Sequence, residues 1–408
     1  MKNIIILISV LFFKIVAIAQ QPGKQKHAQD LNDLIKSLER DYVYLNDKST
    51  DLNCIREHYT KQINTLKPQD DAVLLFEYLL CEFYDSHLIL NTNTKSSYRL
   101  YSSIYVQLQK NKFIISNVWQ SQLLELNKEM IGAEILTVNG VDMNTAIQNF
   151  PTHCNDKNSP VVREWIANKL IAGRYDQPRL LGLRLKNETF TLNLDNLKLR
   201  KETRTVTTMV KNQIGIIRIN NSLGNSKLVS DFDQAIDSVM NNTKAVIIDL
   251  RNTVDGGDSY VARGIMSRFI SEPRPYQKHS VMERLDDGPA IERSWVEYVS
   301  PRGKAYTKPV IVLIGRWTGS MGEGLAIGLE GIERGVLVGT EMERLAGEME
   351  GFNFKNQPYG YRIAIAKLFH INGTPREQYI PAHYVRETNS MNDEALEEAL
   401  RLGDQLTK

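Results

Sequence analysis

The chain of 408 residues has no surplus of either charge: 50 Lys and Arg stand against 48 Asp and Glu, a formal net charge of +2. Without a basic excess there is little to neutralise a phosphate backbone, so nucleic acid is not an expected partner. There is no Pro, Gly or Ser dominance either, with 13 Pro and 25 Gly, so the bulk of the chain is not expected to be disordered. Cysteine is scarce. Cys54, Cys81 and Cys154 are too few for a disulfide scaffold, and no Cys/His spacing resembles a zinc site. Cys54 and Cys81 both fall in a helical region and can pair, or remain as separate buried thiols. Internal repeats and low-complexity segments are lacking, and after residue 19 no apolar run reaches membrane-spanning length. With 42% hydrophobic and 24% charged residues, what remains is an ordinary globular composition, long enough for two to three cores.

The first nineteen residues stand apart. Lys2 opens a basic start, and Ile4 to Phe13 is apolar throughout except for Ser9. Lys14 and the Ile15–Ala19 stretch follow, then polar Gln20, Gln21 and Lys24. A basic start, an apolar middle and an Ala-x-Ala end are the parts of a secretory signal peptide, with cleavage expected after Ala19. A retained anchor is the alternative, which Lys14 disfavours by interrupting the run. No Cys follows for lipid attachment. The expected mature protein is soluble, secreted or periplasmic, with no membrane span. Loss of Lys2 and Lys14 takes its formal charge from +2 to 0.

Residues from about 27 to 85 read as helices: Leu31, Leu34, Ile35 and Leu38 recur at helical spacing, and Val73 to Leu80 repeats the pattern. Short strands follow at Ile104–Leu108 and Lys112–Ile115, and Glu134–Val138 runs into an Asn139-Gly140 turn and a helix from Met143. From about 205 strand and helix signals alternate: strands at Ile214–Ile219, Ala245–Leu250, Pro309–Ile314, Gly335–Gly339 and Tyr361–Ala366. Helices are expected at Leu228–Met240, Val261–Ile270, Glu323–Ile332 and Asp393–Leu406. Nearly continuous apolar strands belong in the buried middle of a parallel sheet. The expectation is therefore a layered α/β core in which helices cover a largely parallel sheet.

Chemistry concentrates where two of these strands end. Gly315-Arg316-Trp317-Thr318-Gly319-Ser320-Met321-Gly322-Glu323 follows a buried strand and opens a helix, which puts the Ser320 hydroxyl at the carboxyl edge of the sheet. The helix-start amides point into the same space and can hold an oxyanion. The spacing Gly-Ser-x-Gly differs from the Gly-x-Ser-x-Gly elbow, and Ser320 as a plain helix cap is the bland alternative. A second turn, Arg251 to Ser259, carries Gly256-Gly257, whose amides suit a second donor. Its alternative is a plain turn capped by Asp258 or Ser259. A serine nucleophile needs a base, and His87 in Asp85-Ser86-His87 ends an apolar helix, where a surface or capping histidine is the competing reading. Glu323 reads as a first-turn carboxylate favoured by the helix dipole.

Together, Ile247 to Gly257, Ser320-Met321-Gly322-Glu323 and Asp85-Ser86-His87 resemble the "DLR-N-GG", nucleophile and "D-x-H" segments of the S41 serine peptidases, the C-terminal-processing and tricorn-like proteases. Gly132 to Gly140 resembles the end of the PDZ-like module these proteins carry. The likeness runs over roughly residues 70–390. It implies a ClpP/crotonase-like α/β core at 205–408 and a small PDZ-like β-rich domain at 96–204. An N-terminal helical region at 20–95 and the signal peptide at 1–19 complete the chain. It further implies Ser320 as nucleophile, Met321 N–H with an amide at Gly256 or Gly257 as oxyanion hole, and no cofactor or metal. The C-terminal-processing branch places a lysine about 25 residues after the serine, where this chain has Leu345, and Lys355 lies too far along. The Ser–His branch has a serine before its histidine, as Ser86-His87 does, so the likeness favours His87 as general base with Ser86 in support. That branch also uses a distal glutamate, for which Glu377 is the match, ahead of Tyr379-Ile380-Pro381-Ala382-His383-Tyr384-Val385, where the family's "G-I-x-P-D-x-x-V" has lost its Gly and Asp. Glu377 reads as an orienting partner or as a solvated turn residue. The expected function is an exported serine peptidase acting on peptides or unfolded protein. The alternatives are a non-catalytic peptide binder of the same fold and a hydrolase of small non-peptide esters or amides. Peptide capture by the PDZ-like stretch stands against a domain that only packs beside the cleft, and no Gly-Leu-Gly-Phe-like run marks a carboxylate loop.

Overall fold

The computed structural model describes residues 23–408 apart from 67–68 and 286–287; the expected signal peptide at 1–19 lies outside the described residues. Three helices come first: α1 over 23–41, α2 (Leu52–Ile63) and α3 (Gln69–Cys81). The stripe Leu31, Leu34, Ile35 and Leu38 is buried against Ile55, Tyr59 and Ile63 of α2 and Leu75, Phe76 and Leu79 of α3. After β1 (Ile89–Leu90) comes an antiparallel sheet built from β2 (Ile104–Gln109), β3 (Lys112–Val118), β4 (Glu134–Val138), β5 (Val141–Asp142), β6 (Leu180–Leu185) and β7 (Glu188–Asn193). Its order is β2-β3-β4-β6-β7, with β5 paired to β4. Two helices, α4 (Met143–Gln148) and α5 (Pro160–Ala172), pack on it. Asn139 and Gly140 both have positive φ, 51° and 80°, as a tight hairpin turn with the strands' twist requires.

The C-terminal part runs β8 (Val206–Lys211), β9 (Ile214–Ile219), α6 (Lys227–Met240), β10 (Ala245–Asp249), α7 (Ser259–Met266), then the long hairpin β11 (Arg274–Glu283) and β12 (Ile291–Val299). It continues with β13 (Val310–Ile314), α8 (Met321–Gly331), β14 (Gly335–Gly339), β15 (Glu348–Asn353), β16 (Gly360–Phe369), β17 (His383–Tyr384) and α9 (Glu394–Gln405). The main sheet has the order β17-β14-β13-β10-β9-β8, parallel except where β8 joins β9. Alternate residues of β10 and β13 face opposite sides. Val246, Ile248, Val310 and Val312 meet α6, α7 and α8, while Ala245, Ile247, Ile311 and Leu313 meet α9. Burial on both faces explains the uninterrupted apolar runs. α7 is shorter than its sequence pattern suggests and stops at Met266. The hairpin β11–β12 and helix α5 carry no clean periodicity and were not expected from the sequence.

The N-terminal helices do not form a separate core. Their buried stripe continues into Phe354, Tyr359, Tyr361 and Ile363, in and beside a third sheet of order β1-β16-β11-β12 with β15 paired to β16, where β1 runs antiparallel to β16. The cysteine expectation needs correction. Cys54 is joined to Cys154, and Cys81 is a free buried thiol. Cys54 lies on α2 and Cys81 on α3, and α2 turns Cys54 towards the loop after α4 instead. There Glu82, fully buried, accepts hydrogen bonds from the backbone N–H of His153 (2.6 Å), Cys154 (2.9 Å) and Asn155 (3.1 Å) and from the Tyr59 hydroxyl (2.9 Å). The bridge spans 100 positions of sequence, and closing so long a loop contributes about 2–5 kcal/mol. Cys154→Ser is expected to lower Tm by as much as reductant lowers that of the wild type, while Cys81→Ser leaves the reductant sensitivity intact. A thermal scan with and without reductant measures both.

Candidate active site

The turns after β10 and β13 are laced together before any reactive group is placed. Thr253 N–H donates to Trp317 O (3.1 Å), Gly319 N–H to Thr253 O (3.3 Å) and the Thr318 hydroxyl to Leu250 O (3.1 Å). The first turn is fixed at its base by charge. Asp249, fully buried, is paired with Arg218 (2.9 Å) and Arg251 (3.0 Å), and Arg251 reaches on to Asp393 at the start of α9 (2.6 Å). These neighbouring guanidinium groups hold the Asp249 carboxyl far below the usual carboxylate range.

Ser320 is the N-cap residue of α8, as the bland reading expected, but its backbone is unlike an ordinary cap. Its φ of 49° and ψ of −112° put a residue with a Cβ in a sparsely populated region, where caps are usually extended. Such strain persists only where the surroundings impose it. They do so here. Glu323 Oε2 accepts from Ser320 N–H (3.0 Å), and a Cβ added at Gly256 would lie 2.4 Å from Ser320 Cβ and 2.9 Å from its Oγ. Met321 N–H, at the first position of α8, and Gly257 N–H have no acceptor among the described residues. Gly256 N–H is already given to Thr253 O (2.9 Å), so of the two glycine amides expected for an oxyanion only that of Gly257 is unengaged. Asp258 caps α7 through Tyr260 N–H (2.7 Å).

His87 lines the same cavity of about 810 Å³ as Ser320, Met321, Gly257 and Glu343. Its Nδ1 lies 2.9 Å from Ala346 O, which fixes Nδ1 as the N–H donor and leaves Nε2 with its lone pair. Its own N–H donates to Asp85 Oδ1 (2.9 Å). Burial lowers its pKa to about 4, so the ring is neutral at physiological pH.

The carbonyl that orients His87 belongs to a loop clamped from two sides. Glu323 accepts from Arg344 N–H (2.8 Å) and Leu345 N–H (3.1 Å), and the buried Arg376 donates to Leu345 O (2.8 Å) and Gly347 O (3.0 Å). Glu323 thus holds both the Ser320 backbone and the loop that turns His87, a wider role than a first-turn carboxylate. Burial raises its pKa to about 7 against the opposing pull of Arg376 and those three amides. Arg376 and Ala346 carry no motif, and only the chain's return past the cavity reveals them. Glu343 lies beside the turn. A Cβ on Gly319 would be 2.2 Å from Glu343 Oε2, which has no hydrogen-bond partner, and burial next to Glu323 and Asp255 pushes its carboxyl well up.

Glu377 stands elsewhere. It lines a neighbouring cavity of about 730 Å³ with Tyr44 and Ser86, not the cavity of Ser320. It is half-buried and not a solvated turn residue, with Oε2 unpartnered and its pKa raised by burial. Ser86 borders both cavities, and its hydroxyl accepts from Trp165 Nε1 (3.1 Å). Among the described residues no group of three or more His, Cys, Asp or Glu is placed to hold a metal ion, and no helix is long and apolar enough to cross a membrane.

Turns of this kind at the carboxyl edge of a parallel α/β sheet are where such folds build their sites. Residues 213–385 match the profile of peptidase family S41, and residues 24–81 match that of the tricorn protease C1 domain. No curated protein matches the sequence. Among solved structures, mature CPAF complexed with lactacystin has 16% identity and a TM-score of 0.62, covering 94% of this chain and 98% of that one. The photosystem II D1 C-terminal processing protease has 16% identity and a TM-score of 0.54, covering 93% and 98%. A putative peptidase from Parabacteroides merdae has 14% identity and a TM-score of 0.53, covering 93% and 96%. At these identities the likeness establishes the shared fold.

Two substitutions test the packing around Ser320. Gly256→Ala, which must displace the serine or strain a φ of 66°, is expected to reduce labelling of Ser320 by an active-site phosphonate by about 10²-fold. Arg376→Ala frees the 345–347 carbonyls and is expected to slow labelling, with Arg376→Lys restoring part of the rate. A Gly256→Ala protein that labels at the wild-type rate contradicts the close approach.

Proposed function

We propose that the protein is an exported serine peptidase that cleaves peptides or unfolded protein through an acyl-enzyme on Ser320, with His87 as general base. The observation that carries the reading is the strained Ser320 backbone at a helix N-terminus, facing the cavity that a neutral, oriented imidazole also lines. As Ser320 Oγ attacks the scissile carbonyl, its proton passes to His87 Nε2. Met321 N–H and Gly257 N–H then donate to the oxyanion, helped by the N-terminal dipole of α8. The imidazolium returns the proton to the leaving amine, and water enters by the reverse sequence. Burial makes His87 a weak base in the resting site, so proton transfer becomes favourable as negative charge develops beside it. Ser86, Glu323 and Arg376 support the base and the turn. Glu377 shares a cavity with Ser86 and acts on the site through that residue. Export rests on the signal-like residues 1–19, and the domain boundaries at 95/96 and 204/205 remain part of this proposal.

A fluorophosphonate is expected to label the wild type and not Ser320→Ala, while His87→Ala labels far more slowly. Labelling of His87→Ala at the wild-type rate removes His87 from the mechanism. A labelled enzyme that turns over esters but no peptide in a library is a small-ester hydrolase instead. The pH dependence follows from the lowered pKa. His87 stays neutral until the pH approaches about 4, so the acid limb of kcat/KM is expected there and not near 6.5. The same shift lowers stability in acid, because the unfolded chain takes up this proton at a higher pH than the folded one. That contribution is complete above 6.5 and is lost as the pH falls through about 4.

A further inference from the structure

Strand β2 is the outer strand of the 104–193 sheet, paired with β3 along one edge only. Its other edge presents the backbone groups of Val106 and Leu108. An open edge of this kind accepts an extended peptide as an additional strand, and the resemblance to a PDZ-like module makes that the natural expectation. The edge is occupied. Glu164 and Asn168, one turn apart on α5, lie along it. Val106 N–H donates to Asn168 Oδ1 (3.0 Å) and Asn168 Nδ2 donates to Val106 O (2.9 Å), so a single side-chain amide makes the pair of bonds that an antiparallel neighbour makes. Leu108 N–H donates to Glu164 Oε2 (2.8 Å), and the Tyr105 hydroxyl to Glu164 Oε1 (3.1 Å). Asn168 Nδ2 also donates to Glu164 O (3.0 Å), which fixes which way round the amide stands. The opposite side of Tyr105 is held by the Arg316 guanidinium, 4.2 Å from its ring, four residues before Ser320.

We infer that helix α5 is a built-in occupant of the β2 edge, that peptide termini are not captured there by strand addition, and that this edge does not select substrates by a free C-terminal carboxylate. A guest strand would have to break the bonds at Val106 and Leu108 to make equivalent ones, and would leave Glu164 and Asn168 without partners; the exchange gains nothing. The occupied edge stands by itself, whereas the consequence for substrates rests on the peptidase reading.

Hydrogen exchange on the full-length protein tests the edge directly. The Val106 and Leu108 amides are expected to be protected like interior strand amides. Asn168→Ala is expected to release Val106 alone, and Glu164→Ala Leu108 alone, each by about a hundredfold. Fast exchange of both amides in the wild type overturns the inference, whether or not the variants fold. Its consequence is read on Ser320→Ala protein titrated with a fluorescent peptide carrying either a free C-terminal carboxylate or a C-terminal amide. Equal Kd values, or no binding of either, are expected. Tighter binding of the acid by about tenfold or more sinks it. Failure of phosphonate labelling would remove the peptidase reading and leave the exchange result standing.

Discussion

The site depends on how closely two strand-end turns approach each other. The turn after β10 and the turn after β13 exchange main-chain hydrogen bonds, and Gly256 lies against Ser320 with no room for a methyl group. Close packing is what maintains an unfavourable backbone at Ser320, because relaxing it would push the serine into its neighbour. Parallel strands make this possible, since their carboxyl ends and the following helix starts all arrive at one edge.

Charge buried beside that contact supplies the second constraint. Glu323 and Arg376 are both fully buried, yet neither is spent on a simple ion pair. One takes amides, the other gives to carbonyls, and the loop 344–347 is fixed between them. The Ala346 carbonyl lies in the middle of that stretch and selects the tautomer of His87. Desolvation is costly for each of these groups. The hydrogen bonds that offset the cost are the ones that give the site its geometry.

The outlying parts of the chain converge on the same turns. Trp119 donates to Arg251 O and Trp317 to Ser102 O, both at 2.8 Å, and the two indoles stack nearly parallel with centroids 5.3 Å apart. The antiparallel sheet is thereby docked onto both turns at once. The N-terminal helices join the third sheet through β1 and β16 and deliver His87 from the opposite side. Ser320 and His87, which line one cavity, therefore come from segments 233 positions apart.

Much of the core was legible because its signals are local. Ala245–Leu250 and Pro309–Ile314 read as buried strands from their apolar runs, and Asn139-Gly140 as a hairpin from turn chemistry alone. Ser320, His87 and the glycine pair stood out for similar reasons, as short motifs at strand and helix ends. The partner of Cys54 was not legible, because the choice between Cys81 and Cys154 depends on which way α2 faces. Nor could sequence reveal that Gly256 N–H is engaged while Gly257 N–H is not, since both belong to one motif and differ only in orientation. Arg376, Glu343 and the Glu164–Asn168 pair acquire their roles from segments far away in the chain. The sequence by itself determined where the strands end and which residue types wait there. Tertiary structure alone decided which of them meet, because burial, tautomer and hydrogen-bond partner are properties of packing and not of any one segment.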